Sequence, residues 1–508
     1  FLRRLARRTW AFFDHFTGPG THWLPPDNVQ ETGAGMIAER TSPTNIGMAL
    51  AGGLAACDFG FQTPGHFADR TGRMLDTLEK LERYRGHFYN WYDTTSLKPL
   101  HPLYISSVDS GNLSAMLIVV REGLAEMIRA PILPARWANG LADTGDILLQ
   151  EIEDIRKKSG AAARTVRLRE TATRLRARLA ALRPAPTAPR NILRALEAAL
   201  AEWAELAQAC ADLEPLAFWF TALRRQAEDL RAELRQLVPW AEADETEPPL
   251  AGNDEPLRAQ WRTEMEALPP LETLATLRHR WEARLAGPSA AEWSQRLRTA
   301  SERAAARVAA LRQLAARCDE IGENDLDFLY DRNRHLLHIG YNFDAHQRDP
   351  SYYDLLASEC RLASFVAVAR GQLPLEHWFH LGRRLAPGGG APVLASWSGS
   401  MFEYLMPLLV MPAFEGTLLH ETHLGAVRRQ IRYAREAGIP WGISESGYNQ
   451  LDVHHVYQYR PFGVPLLGLK RGLADDLVVA PYAGALALMV APAESVRNLR
   501  RLAAAGAV

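Results

Sequence analysis

The sequence predicts an all-α fold: an α/α toroid with short β-hairpins in its loops and a long helical insertion. Three observations predict it. From about Ala135 to Ala316 the chain is rich in Ala, Leu, Arg and Glu, with apolar residues recurring every three or four positions, which is the period of amphipathic helices. On both sides of that zone, helical segments alternate with loops rich in Gly, Pro and aromatic residues. The strand signals are few and short. Residues 1–134 and 317–508 share one style, so they read as two parts of a single domain, with 135–316 inserted between them.

The elements follow in order. Ser42-Pro43 supplies a helix cap and a proline at the first helical position, opening a helix over Thr44–Ala56. In the middle zone, long helices are expected over Thr165–Leu182, Asn191–Leu213, Phe218–Leu237 and Ala290–Ala316. Polar, proline-rich breaks at Arg183–Arg190 and Pro239–Pro256 separate them. Asp327–Tyr330 and His335–Gly340 read as strands of a hairpin turning through Asp331-Arg332-Asn333-Arg334. Asp349-Pro350 opens a further helix over Ser351–Arg370, which carries Asp354 and Glu359. Val478–Ala491 is apolar but is interrupted by Pro481 and is too short to span a bilayer.

Composition narrows the function. The chain has 508 residues and a formal net charge of -1, which argues against a general nucleic-acid footprint. Thirteen tryptophans are many, and Trp serves sugar-binding surfaces as well as cores. Cys57, Cys210, Cys318 and Cys360 are far apart, with no metal-type spacing, so free thiols in a reducing compartment are expected. No Cys or acid cluster at ligand spacing supports a metal at His454-His455, so no metal or cofactor is expected. No glycine-rich phosphate loop with a lysine and no serine nucleophile elbow is present. The ends fall abruptly inside helical text, which suggests a piece of a longer polypeptide.

Cleaving a glycosidic bond needs one acid to protonate the leaving oxygen and a second carboxylate as nucleophile or base. Trp441-Gly442-Ile443-Ser444-Glu445-Ser446-Gly447-Tyr448-Asn449 puts Glu445 among small residues, with aromatic faces and an amide beside it. Such company suits a sugar site; a polar loop closing a helical domain is the plainer reading. Glu359 is the second candidate, as an acid on a largely apolar helix whose pKa burial would raise. Glu403, in Trp397-Ser398-Gly399-Ser400-Met401-Phe402-Glu403, is the third, as a catalytic group, a sugar ligand or a loop fastener. Arg40 in Glu39-Arg40-Thr41-Ser42, Asn90-Trp91-Tyr92-Asp93, Asp109, Trp397, Tyr448, Asn449, Tyr459 and Arg460 read as substrate-binding residues. Asp109 could equally be only a helix cap.

These residues resemble those of a known family. Glu39-Arg40-Thr41-Ser42-Pro43-Thr44-Asn45, Gly86-His87-Phe88-Tyr89-Asn90-Trp91-Tyr92-Asp93, Val108-Asp109-Ser110-Gly111-Asn112, Gly340-Tyr341-Asn342, Trp397 to Pro407 and Trp441 to Ser446 resemble, in order, the glucoamylase-like cyclisation domain of bacterial cyclic β-1,2-glucan synthases. The resemblance implies an (α/α)6 toroid acting on linear β-1,2-glucan by intramolecular transglycosylation, with Tyr341 added to the binding set. It implies Glu359 and Glu445 as the catalytic pair, with Glu445 as nucleophile and Glu359 as acid/base. A retaining pair would lie about 5–5.5 Å apart and an inverting one roughly 6.5–9.5 Å. It further implies glucosyltransferase and phosphorylase-like domains in the same polypeptide, at the cytoplasmic face of the bacterial inner membrane. A β-1,2-glucan hydrolase and a non-catalytic module that guides the glucan are the alternatives.

Overall fold

Helix accounts for 59% of the structure, a computed structural model, and no strand among the described residues exceeds six residues. The class is therefore all-α, with a composition consistent with an all-α toroid. The structure describes residues 1–30, 36–158, 162–182, 185–243, 250–252, 254–451 and 457–507, without the side chains of 162–164, 449 and 451. No helix among the described residues is long and apolar enough to cross a membrane.

The chain forms two compact units. The first comprises Phe1–His15, Leu50–Asp76 and Val120–Asp319, and so contains the whole expected insertion together with flanking helical segments. Its helices match the amphipathic pattern: Pro189–Ala209, Glu214–Leu237 and Ala290–Ile321 each bury one apolar stripe. Trp261 centres its aromatic core, with ring centroids 5.1 Å from Trp281 and 4.9 Å from Trp293. The Trp281 indole N–H finds the Glu264 carboxylate at 2.8 Å, which satisfies the polar handle a buried tryptophan brings.

The second unit comprises Phe16–Ala49, Thr77–Val119 and Glu320–Val508, and so joins chain from both ends. Its largest core cluster gathers Leu356, Leu381, Leu394, Tyr404, Val427, Trp441, Ile443 and Leu467. The helix expected after Ser42 runs Pro43–Phe59, and the Ser42 hydroxyl accepts the Asn45 N–H at 3.2 Å, as a capping residue should. Short antiparallel pairs occupy the loops: Arg40–Thr41 with Tyr92–Asp93, Tyr104–Ser106 with Gly340–Asn342, and Ser446–Leu451 with Tyr457–Arg460.

Two expectations are corrected. The hairpin near residue 330 pairs Tyr330–Asp331 with Leu336–Leu337, while Asp327–Leu329 forms a turn and Gly340 joins a different sheet. The helix expected over Ser351–Arg370 is only Cys360–Ala369. Residues 351–355 stay non-helical because neighbours claim their backbone, Tyr352 bridging His338 and Leu355 bridging Gly382, and 356–358 then bend into the helix. Asp354 therefore lies on no helix, and Glu359 stands at the N-cap position.

Candidate active site

Glu359, Glu403 and Glu445 converge in the second unit, carried by three different connections. Glu359 follows the bend at 356–358 and, with helical dihedrals, immediately precedes the 360–369 helix. Its Oε2 accepts a long hydrogen bond, 3.4 Å, from the Asn112 amide. That amide also reaches the Thr44 hydroxyl at 3.2 Å, and Thr44 in turn donates to Asp109 Oδ1 at 2.6 Å. Burial raises the Glu359 pKa well above the usual carboxylate range, and the charges of Glu445, Asp109 and Glu403 push it the same way. Tyr353 faces this group, and burial followed by the Glu359 charge keeps its hydroxyl protonated.

Glu445 sits in different surroundings. The Ser400 hydroxyl donates to its Oε1 at 2.9 Å, and the Tyr459 hydroxyl donates to its Oε2. Tyr482 donates to its main-chain carbonyl at 2.6 Å and approaches Ser444 Oγ at 2.9 Å. Burial raises the Glu445 pKa and the Glu403 charge adds to it, while the Tyr459 and Ser400 donors oppose the rise without cancelling it. The Tyr459 ring is 60% exposed, yet its hydroxyl end is enclosed, and burial plus the Glu445 charge hold that proton in place. Both acids are thus held above the usual carboxylate range, Glu359 by deep burial with a single long amide donor and Glu445 by burial opposed by two hydroxyl donors.

Glu403 is the third acid, and its oxygens are already taken. They accept from Ser396 Oγ at 3.0 Å, Trp397 N at 3.0 Å, Ser400 N at 3.1 Å, and both the amide and the hydroxyl of Ser398. With Ser400 it forms a capping box that starts the Met401–Leu405 helix. A left-handed Gly399, φ 73°, lets the loop curl around the carboxylate. Glu403 is thus a loop fastener that sets Ser400 in place. The Ser400 hydroxyl stands between the two acids, 2.9 Å from Glu445 Oε1 and 3.2 Å from Glu403 Oε2, and its one proton makes the shorter bond to Glu445.

The remaining predicted binding residues divide. Arg40 lies over the Trp91 ring, 4.5 Å from its centroid, and pairs with Asp27 at 3.1 Å. Asn90 is half-buried beside Trp91. Tyr341 stacks on Tyr84 at 5.8 Å, and Trp397 is 44% exposed. Tyr448 meets Phe462 edge-on and lies beneath Arg460, which pairs with Asp476 at 2.6 Å. Tyr92 is a correction: it is fully buried and its hydroxyl donates to the Glu82 carbonyl at 2.6 Å, so it offers no face to a sugar. Asp93 accepts from the Thr95 and Ser96 amides and the Ser96 hydroxyl, which commits it to a turn and depresses its pKa. Asp109 is not the helix cap, because Ser106 accepts its N–H at 3.1 Å; it lies in the first turn of Ser107–Arg129. The side chain of Asn449, and His454-His455, lie outside the described residues.

Sequence reading missed Thr44, Asn112, Ser400 and Tyr482. The Ser400-Met-Phe-Glu403 spacing is a legible capping-box signature and could have found Ser400. Tyr482, at the start of the Pro481–Leu486 helix in an apolar stretch, carries no local signal. No group of three or more potential metal ligands occurs among the described residues.

Residues 351–507 match the family model Glycoamylase, described as "Putative glucoamylase". Over its whole length the chain is 37% identical to the cyclic β-(1,2)-glucan synthase of Rhizobium meliloti, and it spans 16% of that protein. Among solved structures, one described as a putative glucoamylase from Bacteroides fragilis aligns with 98% of this chain and 79% of its own, at 12% identity and a TM-score of 0.49. An endo-β-1,2-glucanase from Chitinophaga pinensis, in complex with sophorotriose and glucose, aligns with 98% of this chain and 80% of its own, at 10% identity and a TM-score of 0.45.

Proposed function

From a glucoamylase-like match over residues 351–507 and similarity from end to end with one segment of a cyclic β-(1,2)-glucan synthase, we propose that this chain is a glycoside-hydrolase-like enzyme acting on β-1,2-glucan, and specifically a retaining transglycosylase that closes linear chains into rings. One observation carries the mechanism: two buried, electrostatically coupled carboxyl groups stand in different surroundings, Glu359 with one long amide donor and Glu445 with two hydroxyl donors, as an acid and a nucleophile need.

In this reading Glu445 attacks the anomeric carbon while Glu359 gives its proton to the departing glycosidic oxygen. The C–O bond breaks and an ester to Glu445 forms. Glu359, now a carboxylate, takes the proton from the hydroxyl at the chain's own non-reducing end. That oxygen displaces Glu445, a new β-1,2 bond closes the ring, and both acids return to their starting states. Tyr459 and Ser400 hold the nucleophile's two oxygens apart in direction, so one lone pair can face the sugar. Ring closure outcompetes water because a tethered hydroxyl held in place has an effective molarity that can reach about 10⁵ M or more. Trp91, Trp397 and Tyr448 supply the aromatic faces for the glucose rings. The linear glucan would come from glucosyltransferase and phosphorylase-like neighbours in the same polypeptide, at the cytoplasmic face of the inner membrane; similarity to 16% of a much longer synthase supports that setting.

The test is incubation with linear β-1,2-glucan, digestion of the products with an exo-acting β-glucosidase, and mass spectrometry of what survives. Resistant products lighter than linear chains by one water are expected. Shorter linear chains alone would make the enzyme an endo-β-1,2-glucanase. Unchanged glucan that nevertheless binds would leave a guiding module.

A further inference from the structure

We propose that Gln430 and Asn498 are positioning residues for Glu445, each completing the hydrogen-bonding edge of the extended segment that leads into it. The inference rests on the reading of Glu445 as nucleophile. In an extended chain, the N–H and C=O of alternate residues face the same edge. In segment 441–445 one edge meets another extended segment: the Ala480 N–H donates to the Gly442 carbonyl at 2.8 Å, and Ile443 bridges Val479. The opposite edge, formed by Trp441 and Ile443, has no strand beside it among the described residues.

Two side chains stand in for that strand. Asn498 Oδ1 accepts the Trp441 N–H at 3.0 Å, and its Nδ2 donates to the Trp441 carbonyl at 2.7 Å. Gln430 Oε1 accepts the Ile443 N–H at 2.9 Å, and its Nε2 donates to the Ile443 carbonyl at 2.6 Å. Both amides are almost completely buried. They come from the Leu418–Glu436 and Pro492–Ala504 helices, whose interior backbone groups are already paired within the helix. Only a side chain can then complete the edge. A carboxamide carries a donor and an acceptor in one plane, as a peptide group does; no carboxylate or apolar side chain offers both.

The arrangement bears on Glu445 because the segment has a weak point. Gly442 sits at φ 126°, a conformation glycine tolerates and leaves easily. The two amides clamp the residues on either side of it. Glu445 follows two residues after the Ile443 clamp, and its oxygens meet Ser400 and Tyr459 only if the segment holds its path.

The test compares the full chain with Gln430→Met and Asn498→Leu, near-isosteres without an amide, and with Gln430→Glu, which keeps the shape and the acceptor. On linear β-1,2-glucan, kcat is expected to fall about 100-fold in the apolar variants, as a misplacement of roughly 1 Å would cause. KM should stay within about threefold, since substrate contacts are untouched. The acid limb of the pH–rate profile should move to higher pH as Glu445 loses its donors. Amide hydrogen exchange should quicken in residues 441–445 without spreading through the 418–436 helix. Unchanged kcat per folded molecule together with unchanged exchange in 441–445 would overturn the inference. If the unmodified chain proves inert on the glucan, the functional reading fails separately, and exchange alone decides: local acceleration supports the clamp and its absence overturns it. Should the apolar variants not fold, Gln430→Glu carries the same comparison, with a smaller expected fall in kcat.

Discussion

Tyr459 donates its hydroxyl to Glu445 from the partner strand of the hairpin that begins at the next residue, Ser446. The register pairs Gly447 with Tyr459 and Ser446 with Arg460, so the strand that leaves the acid returns a phenol to it. A short hairpin therefore tunes a carboxyl group that precedes it.

Removing that phenol has a defined sign. Tyr459→Phe deletes a hydrogen bond that lowers the Glu445 pKa, so the pKa rises and the acid limb of activity shifts to higher pH. A hydrogen bond to a charged group contributes about 1.5–3 kcal/mol, so kcat should fall about 10–100-fold at the former optimum. Initial rates across pH, for both proteins, measure it; coincident profiles would remove Tyr459 from the mechanism.

The two carboxylates should not be interchangeable with their amides. Glu359→Gln and Glu445→Gln are each expected to lower turnover of linear β-1,2-glucan by about 10²–10⁴-fold or more, the range for losing a proton-transfer group or nucleophile. Glu445→Gln should also accumulate no glycosyl ester, which mass spectrometry of the intact protein reads directly. Turnover close to that of the unmodified chain in either variant would discard the pair.

Ser400→Ala tests a residue with two duties. It loses a helix cap, at a cost of about 1 kcal/mol in stability, and it loses the donor to Glu445 Oε1. Chemical denaturation reads the first loss and the pH–rate profile the second. A fall in stability with unchanged kinetics would leave Ser400 a cap and nothing more.

Stability should decline in mild acid. Burial holds His87 at a pKa of about 4 and His423 at about 3, against about 6.5 for an exposed histidine. Both are neutral in the fold, and the unfolded chain takes up protons first. Their contribution is complete above about pH 6.5 and is lost as pH falls toward the folded values, at about 1.4 kcal/mol per pH unit for each histidine. Glu359 and Glu445, raised by burial, act in the opposite sense, so the comparison is with His423→Gln: from pH 8 to 5 the denaturant midpoint of the unmodified chain should fall more below pH 6.5, and parallel profiles would contradict the burial argument.

In the first unit, Trp261→Ala empties the centre of the tryptophan cluster. Losses of about 3–5 kcal/mol are usual for such truncations, so the helical unit should melt markedly earlier in calorimetry. An unshifted transition would mean the cluster contributes little.

What the sequence determined by itself is local. Helices such as Glu214–Leu237 and Ala290–Ile321 were legible because a 3.6-residue apolar period is written in consecutive residues, and Ser42-Pro43 marks its helix by its own chemistry. Glu445 stood out as a candidate through its neighbours Trp441, Gly442 and Tyr448. Tertiary structure decided what depends on partners far away in the chain. Residues 351–355 follow the bridges to His338 and Gly382 rather than the helical cue of Asp349-Pro350, because distant backbone groups satisfy theirs. Tyr92 looks like a sugar platform in sequence but lies in the core, its hydroxyl taken by Glu82. The different surroundings of Glu359 and Glu445, on which the proposed roles rest, arise from Asn112, Ser400 and Tyr459 and from the burial of each carboxyl. Protonation depends on the dielectric surroundings and on hydrogen-bond donors in space, and neither is written in the residues adjacent to an acid.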